Sequence, residues 1–397
     1  MIYLNFSTLV ICAAICLILY TRLVRPLKWK KRWKLLLLIP IVLLSLIPFL
    51  ALPFSRYVDF ESPYYWMVKA VFYIFSLDAV LLILIVIRDI IAFILKVSFG
   101  IRSAVRSKKD PAFVEDEAVL SRRKFLFNLS SGAIAGGAAL VTPISAHAAR
   151  HDRVIKNVEI RMDNLPEELE GFRIAHLSDV HVGNTIDRQM FSEIVNETNL
   201  LQPDLVAITG DLVDGYPEQL KPELAPIVDL KSTYGTFYCT GNHEHMWDGP
   251  GWCDILESYG VHVLKNTHEM IPVPGGKLAV AGVYDISVNR RRKLRSSPSD
   301  ALSGIPEDVF RIMLVHQPKS VDPSLEAGAD VVLLGHTHGG QSFPLNLMNP
   351  IIHKYARGMY RVGHKAVFVS CGTGYWGPPL RIGVPPEIIL VTLRKAS

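Results

Sequence analysis

His336 and His338 stand one residue apart in VVLLGHTHGG (331–340), where an apolar run stops and glycines take over. Alone, such a pair is an ordinary strand end. It gains chemical meaning because four other blocks answer it: DVH at 179–181, GDLVD at 210–214, GNHEH at 241–245 and VHQP at 315–318. Together they offer Asp179, His181, Asp211, Asn242, His316, His336 and His338. This mixture of carboxylate, amide oxygen and imidazole suits Mn, Fe or Zn. Two such ions ~3.5–4 Å apart can clamp a phosphoryl group and activate a water. Holding them that close requires a shared anion, and a carboxylate can supply one. Neutral imidazoles complete the set without over-neutralising the charge. The glycines allow a sharp backbone and leave room for a substrate.

The elements that must position these groups read as an α/β domain. Strands are expected over 172–179, 203–211, 236–244, 277–285, 310–318, 329–338, 366–374 and 387–393, and helices over 188–201 and 251–260. The strands are continuous apolar runs, the pattern of a sheet covered on both faces. Every polar block sits at a strand's C-terminal end, the edge where layered α/β folds bind ligands. Asp285, which ends KLAVAGVYD, is expected at the rim of the site. His176 reads as a core or supporting residue and His245 as a possible lining residue. His262, His268, His353 and His364 read as surface residues.

The rest of the chain differs in kind. All 13 histidines lie at position 147 or later. Residues 3–20, 35–54 and about 67–87 are apolar stretches near the ~20 residues that span a bilayer. RLVRPLKWKKRWK (22–34) holds seven Lys or Arg, and Arg102, Arg106, Lys108 and Lys109 come after the third stretch. Both basic segments read as cytoplasmic, with the N-terminus outside. Because they flank spans, they argue for a membrane and against nucleic acid as the partner. Three spans with one acid, Asp78, are too few for a repeat-built transporter. No CxxC occurs, so neither a zinc knuckle nor a disulfide framework is suggested. SRRKFL (121–126) and the Gly/Ala-rich stretch after it, to Ala148, resemble a twin-arginine export signal, with the export machinery as a partner; a fourth transmembrane helix is the alternative. Either way, residues 150–397 lie outside the cytoplasm. The division is then 1–100 membrane region, 101–149 linker with signal or fourth helix, and 150–397 catalytic domain. NRRRKLR (289–295) is either a solvated loop or a contact for an anionic surface.

The five blocks, in this order, resemble the calcineurin-like metallophosphoesterase superfamily, with its D-x-H, G-D-x-x-D, G-N-H-[DE], lone H and G-H-x-H. The resemblance covers about 170–395. GHTHGGQ, YARGMY, GTG and RIGVPPEI are similar to a bacterial branch of membrane-linked and exported phosphodiesterases. It implies a four-layer αββα sandwich and a hydrolase of phosphodiester or pyrophosphate bonds acting through metal-activated water. One metal would be held by Asp179, His181 and His338, the other by Asn242, His316 and His336, with Asp211 bridging. His243 would stabilise the transition state or protonate the leaving oxygen, and Asp214 would orient it. Where many relatives carry an Arg before a glycine, this chain has Cys371. The expected setting is a bacterial inner membrane, multi-pass, with the catalytic domain on the periplasmic side. Expected substrates are envelope or lipid-linked phosphoesters, with a UDP-2,3-diacylglucosamine pyrophosphate of lipid A synthesis as the alternative. A membrane sensor that binds a phosphate ligand without turnover is the rival class.

Overall fold

The central strands of the C-terminal unit are apolar on both faces, so each face must find a cover. In the computed structural model, which describes residues 6–27, 29–55, 58, 60, 62–109, 117–288 and 294–396, two sheets lie face to face with helices outside each. The chain divides into two compact units, 1–144 and 145–397.

In the first unit the helices are α1 (Phe6–Leu19), α2 (Lys31–Ser55), α3 (Tyr65–Lys109) and α4 (Glu117–His151), the last continuing into the second unit. Three stretches are long and apolar enough to cross a membrane: Lys31–Leu50, Tyr65–Ile101 and Leu129–His151. The expected span at 3–20 is described from residue 6, and among the described residues the apolar helix there, Val10–Val24, is shorter. The third stretch outruns its expected end because the helix continues through Arg88 and Asp89. Asp89 is neutralised by Arg22 at 3.0 Å and by Arg88 at 2.9 Å. Asp78 is buried in α3 with no hydrogen-bond partner for either oxygen. Arg122 and Arg123 fall within α4, and their side chains lie outside the described ones. Most of the basic run 289–295 also lies outside the described residues.

In the second unit the strands are β1 (Val154–Met162), β2 (Arg173–Leu177), β3 (Leu205–Thr209), β4 (Thr236–Cys239), β5 (His262–Val263), β6 (Thr267–Val273), β7 (Gly276–Gly282), β8 (Phe310–Leu314), β9 (Val331–Leu334), β10 (Gly358–Val362), β11 (Lys365–Val369) and β12 (Glu387–Lys395). The helices are α5 (Arg188–Leu200), α6 (Pro217–Leu224), α7 (Asn242–Trp247), α8 (Gly249–Ser258), α9 (Pro298–Leu302), α10 (Val321–Glu326) and α11 (Leu345–Ile352). One sheet runs β1-β12-β2-β3-β4-β5 and the other β10-β11-β9-β8-β7-β6. Strands β2 to β5 are mutually parallel, as are β7, β8, β9 and β11.

The two-residue period sorts the side chains. Val331 and Leu333 face inward with Leu205, Ala207, Phe237, Leu278, Val280 and Ile312 in the core between the sheets. Val332 and Leu334 point the other way and meet Leu302 of α9 with Val321 and Leu325 of α10. Over the first sheet, α5 buries Met190, Phe191, Ile194 and Val195, its start capped by the Asp187 carboxylate on Met190 N. This is the helix–sheet–sheet–helix sandwich the sequence implies. Its consequence is positional: parallel strands deliver the C-terminal ends of β2, β3, β4, β8 and β9 to one edge.

Leu333 is fully buried between the sheets, so Leu333→Ala is expected to cost roughly 2–5 kcal/mol of stability. Leu200→Ala, at an 82% exposed position, should cost little. Thermal unfolding of the full chain would show the difference.

Candidate metal centre

The strand ends converge. Asp179 and His181 leave β2, Asp211 leaves β3, Asn242 and His243 open α7 after β4, His316 leaves β8, and His336 and His338 leave β9. Three groups have ligand atoms within 4.8 Å of one another: Asp179, His181 and His338; His181, Asp211 and His243; Asp211, His316 and His336. Asn242 joins the last, its Oδ1 3.1 Å from His316 Nε2. The structure therefore brings together eight of the nine residues singled out in the sequence, with His181 and Asp211 each common to two of the groups, and the ninth, Asp214, stands behind His243. Asp211 Oδ2 lies 3.1 Å from His316 Nε2 and 4.0 Å from His181 Nε2.

The donor set fits cations. His181 Nε2 and His338 Nε2 approach to 3.1 Å, and His336 Nδ1 and His316 Nε2 to 3.2 Å. Two imidazole nitrogens that close compete for one proton, whereas a metal ion satisfies both lone pairs. Burial pushes the His181 imidazole down to about 4 and that of His336 to about 3, with the neighbouring His243 and His316 adding to the effect, so both are neutral donors. His316 goes the other way: burial opposes its charge, but the Asp211 carboxylate raises it well above the usual range. Its Nδ1–H donates to the Thr209 carbonyl (2.8 Å), which leaves Nε2 facing Asn242 and Asp211. Burial lifts the Asp179 carboxyl to about 6, with His316 pulling down and Asp211 pushing up. Asp211 is instead held well below the carboxylate range: burial raises it, but His316 and the other imidazoles win.

Five of these residues adopt left-handed backbone: Asp179 (φ 52°), His181 (56°), Asp211 (49°), His336 (70°) and His338 (48°). Each such non-glycine residue costs on the order of 1–2 kcal/mol. The five lie on three loops, after β2, β3 and β9, where the left-handed turns let closely spaced side chains reach one cluster.

Beside this cluster, His243 Nδ1 donates to Asp214 Oδ1 at 2.9 Å, and Trp247 Nε1 donates to the same oxygen at 2.9 Å. His243 Nε2 faces Asp211 Oδ2 at 3.9 Å. Burial works against the imidazolium, but the bond and charge of Asp214 outweigh it and lift His243 to about 9.

Some readings change. Asp285 is not at the rim but buried, accepting from Gln317 Nε2 (2.9 Å) and Ser287 N (2.8 Å), because it braces the loop that carries His316. His262, His268 and His353 are half-buried rather than plain surface residues, the ring of His353 lying 6.4 Å from that of His336, and His364 is exposed. His176 is buried and held by Thr209 Oγ1, outside the cluster. His245 turns to Thr240 Oγ1 at 2.8 Å.

Two contributors went unread in the sequence. Glu244 is fully buried, and its carboxylate accepts the backbone N–H groups of Gly241 (2.7 Å), Asp211 (3.1 Å), Leu212 (2.7 Å) and Val213 (3.2 Å). It ties the β3 loop to the β4 loop. Its signal was its place three residues into a helix after G-N. Arg381 is buried behind His338, with NH2 3.1 Å from Nδ1 and NH1 donating to the carbonyl (3.1 Å). A guanidinium only donates, so the ring is pinned with Nε2 toward Asp179 and His181. Cys371 supplies no charge here: burial pushes its thiol up to about 12.

Residues 172–340 match the calcineurin-like phosphoesterase family. A "Transmembrane protein with metallophosphoesterase domain" of Danio rerio is 36% identical over 262 residues, 63% of this chain and 59% of the relative. An "Uncharacterized metallophosphoesterase" of Helicobacter pylori is 37% identical over 241 residues, 60% of this chain and 63% of the relative. The chain thus spans less than two thirds of either. The "Uncharacterized metallophosphoesterase YkuE" of Bacillus subtilis is 28% identical over 70% of this chain and 99% of its own length.

Glu244→Gln would set an amide N–H₂ against backbone donors. It is expected to cost roughly 3 kcal/mol or more, since bonds to a charged acceptor are worth ~1.5–3 kcal/mol each. A lower unfolding temperature together with weaker metal retention on dialysis would check it.

Proposed function

We propose that the C-terminal unit, whose residues 172–340 form a calcineurin-like phosphoesterase domain, hydrolyses phosphoric esters with two divalent cations in this site. Asp211 carries the reading, because its carboxylate groups with His316 and His336 on one side and with His181 and His243 on the other. Asp179, His181 and His338 would hold one ion, Asn242, His316 and His336 the other, with Asp211 shared. Such a pair, when bound, polarises the phosphoryl oxygens and makes a water acidic enough to attack at neutral pH.

The chain's own groups do the rest. His243 presents Nε2 to the space before Asp211 while Asp214 holds its other nitrogen. As an imidazolium it can stabilise charge growing on the phosphoryl group and give its Nε2 proton to the leaving oxygen. The Asp179, Asp211 and Glu244 carboxylates stay fixed by backbone N–H groups, so the site reorganises little.

The chain is membrane-associated: it carries helices long and apolar enough to cross a bilayer, and relatives are named transmembrane proteins. From this we favour phosphodiesters or pyrophosphates of envelope or lipid-linked molecules, cleaved on the extracytoplasmic side of a bacterial inner membrane. A UDP-2,3-diacylglucosamine pyrophosphate ranks second, since it would require access to the cytoplasmic leaflet. Arg122 and Arg123 would serve export, and Mn, Zn or Fe would fill the site.

The full chain, purified in detergent and assayed on bis(p-nitrophenyl) phosphate, should lose turnover on chelation and regain it with Mn or Zn. Asp211→Asn should lower kcat by about 10²-fold or more. Turnover indifferent to chelation would sink the proposal, and binding of phosphate without turnover would favour a sensor.

The sign of the pH effect comes from His243. The acid is present below about 9 and is lost as pH rises through that value. Asp214→Asn removes the anion that supports it, so the alkaline limb of kcat should move to lower pH. A limb that stays in place would show that His243 is not the titrating acid.

A further inference from the structure

Helix α11 is inside out. Its buried side chain is Asn349, 5% exposed, whereas Leu345, Leu347, Met348, Ile351 and Ile352 are 57, 60, 47, 76 and 68% exposed. A surface helix in water does the opposite and turns its aliphatic stripe to the core. One exposed leucine needs no explanation, but five such residues on one two-turn helix form a contiguous apolar ridge, the mark of an interaction surface. Phe343, just ahead of the helix, adds a ring that is 39% exposed.

The inversion is built in. Asn349 Nδ2 donates to the Ala356 carbonyl at 3.2 Å, the same carbonyl that accepts from Thr337 Oγ1 at 2.6 Å. Asn346 N donates to Ser342 O at 3.0 Å. Gly340, at φ +82°, lies so close that a Cβ there would sit 2.5 Å from Asn346 Cα. The polar face of α11 is thus keyed to the GHTHGG loop, and the apolar ridge is carried by the loop that carries His336 and His338.

Charge and connectivity name the occupant. Two basic residues follow the helix closely: Arg357, which is exposed, and Lys354, whose side chain is 68% exposed although it pairs with Asp322 at 2.8 Å, whereas Arg361 and Lys365 lie toward the other end of β10 and β11. An apolar ridge with basic side chains beside it suits the boundary between acyl chains and anionic headgroups. The same chain carries three helices long and apolar enough to cross a bilayer, so a lipid surface is covalently within reach. We propose that α11 and Phe343 insert into a lipid bilayer at headgroup depth and present the metal centre to the phosphodiester of a bilayer-resident lipid. The substrate half rests on the phosphoesterase reading; the docking half does not.

Two measurements on the full chain in lipid nanodiscs test it. First, Ile351→Cys carries an environment-sensitive fluorophore, with the unsubstituted protein as labelling background. Brominated acyl chains should quench it at least two-fold. Unquenched, water-like emission would overturn the docking, and so would unquenched but apolar emission, which would mean a protein partner or a second copy. Second, the rate on a diacylglycerol phospho-p-nitrophenol carried in the same nanodisc is divided by that on soluble bis(p-nitrophenyl) phosphate. The ratio should fall ten-fold or more in Leu347→Ser/Ile351→Ser, whereas a general loss of fold would lower both rates together. An unchanged ratio, or wild-type turnover of the soluble diester alone, would overturn the lipid substrate while leaving the phosphoesterase reading standing. Turnover of neither substrate would overturn both the phosphoesterase reading and the substrate half, with the quenching still deciding the docking.

Discussion

Two carboxylates held out of water side by side, Asp179 and Asp211, set the terms for everything around them. Like charges buried together are costly unless cations and N–H groups answer them. Asp179 accepts from His336 N with both oxygens (3.1 and 2.9 Å) and from Ser178 Oγ at 2.6 Å, and Asp211 accepts from His243 N at 2.8 Å. Such short backbone contacts leave no space for side chains on the neighbouring loops. A Cβ at Gly335 would lie 2.0 Å from Asp179 Oδ2, and one at Gly241 would lie 2.2 Å from Asp211 Oδ1. The glycines of G-H-T-H and G-N-H are therefore the room that the adjacent carboxylate occupies, not merely flexible punctuation.

The same constraint explains where the strain is kept. Left-handed turns at five candidate ligand residues are tolerable because each loop leaves a strand whose two faces are buried, and the sheets hold its ends apart. Glu244 adds a further brace, one carboxylate gathering four backbone donors from two loops. Under the proposed reading, nothing in this frame need move for His243 to meet a phosphoryl oxygen. Pre-set groups of this kind, fixed before the substrate arrives, account for much of the rate enhancement of enzymes.

Much of this was legible in the residue string because the information is local. A strand run, a glycine and a ligand lie within a few positions, and parallel strands bring such ends to one edge. What stayed hidden was non-local. Three of the four donors that define Glu244 lie 31 to 33 residues upstream of it, and Arg381 lies 43 positions beyond His338. β1 escaped notice because its pattern, VIKNVEIRM, is that of a mostly exposed edge strand. Periodicity says which residues of α11 share a face but not which way that face points. Asp285 was misplaced for a related reason: the end of an apolar run locates the site's edge, not which acids brace the loops beneath it.

The position of β12 has a consequence for how the molecule is made. It threads between β1 and β2, so those two strands have no sheet between them until residues 387–395 have been synthesised. A ribosome emits the candidate ligands Asp179, His181, Asp211 and Asn242 before the strand that completes the sheet they leave. The loop that carries Asp179 and His181 is therefore held in place by a strand drawn from far along the chain, so its shape is a property of the whole unit and not of its own segment.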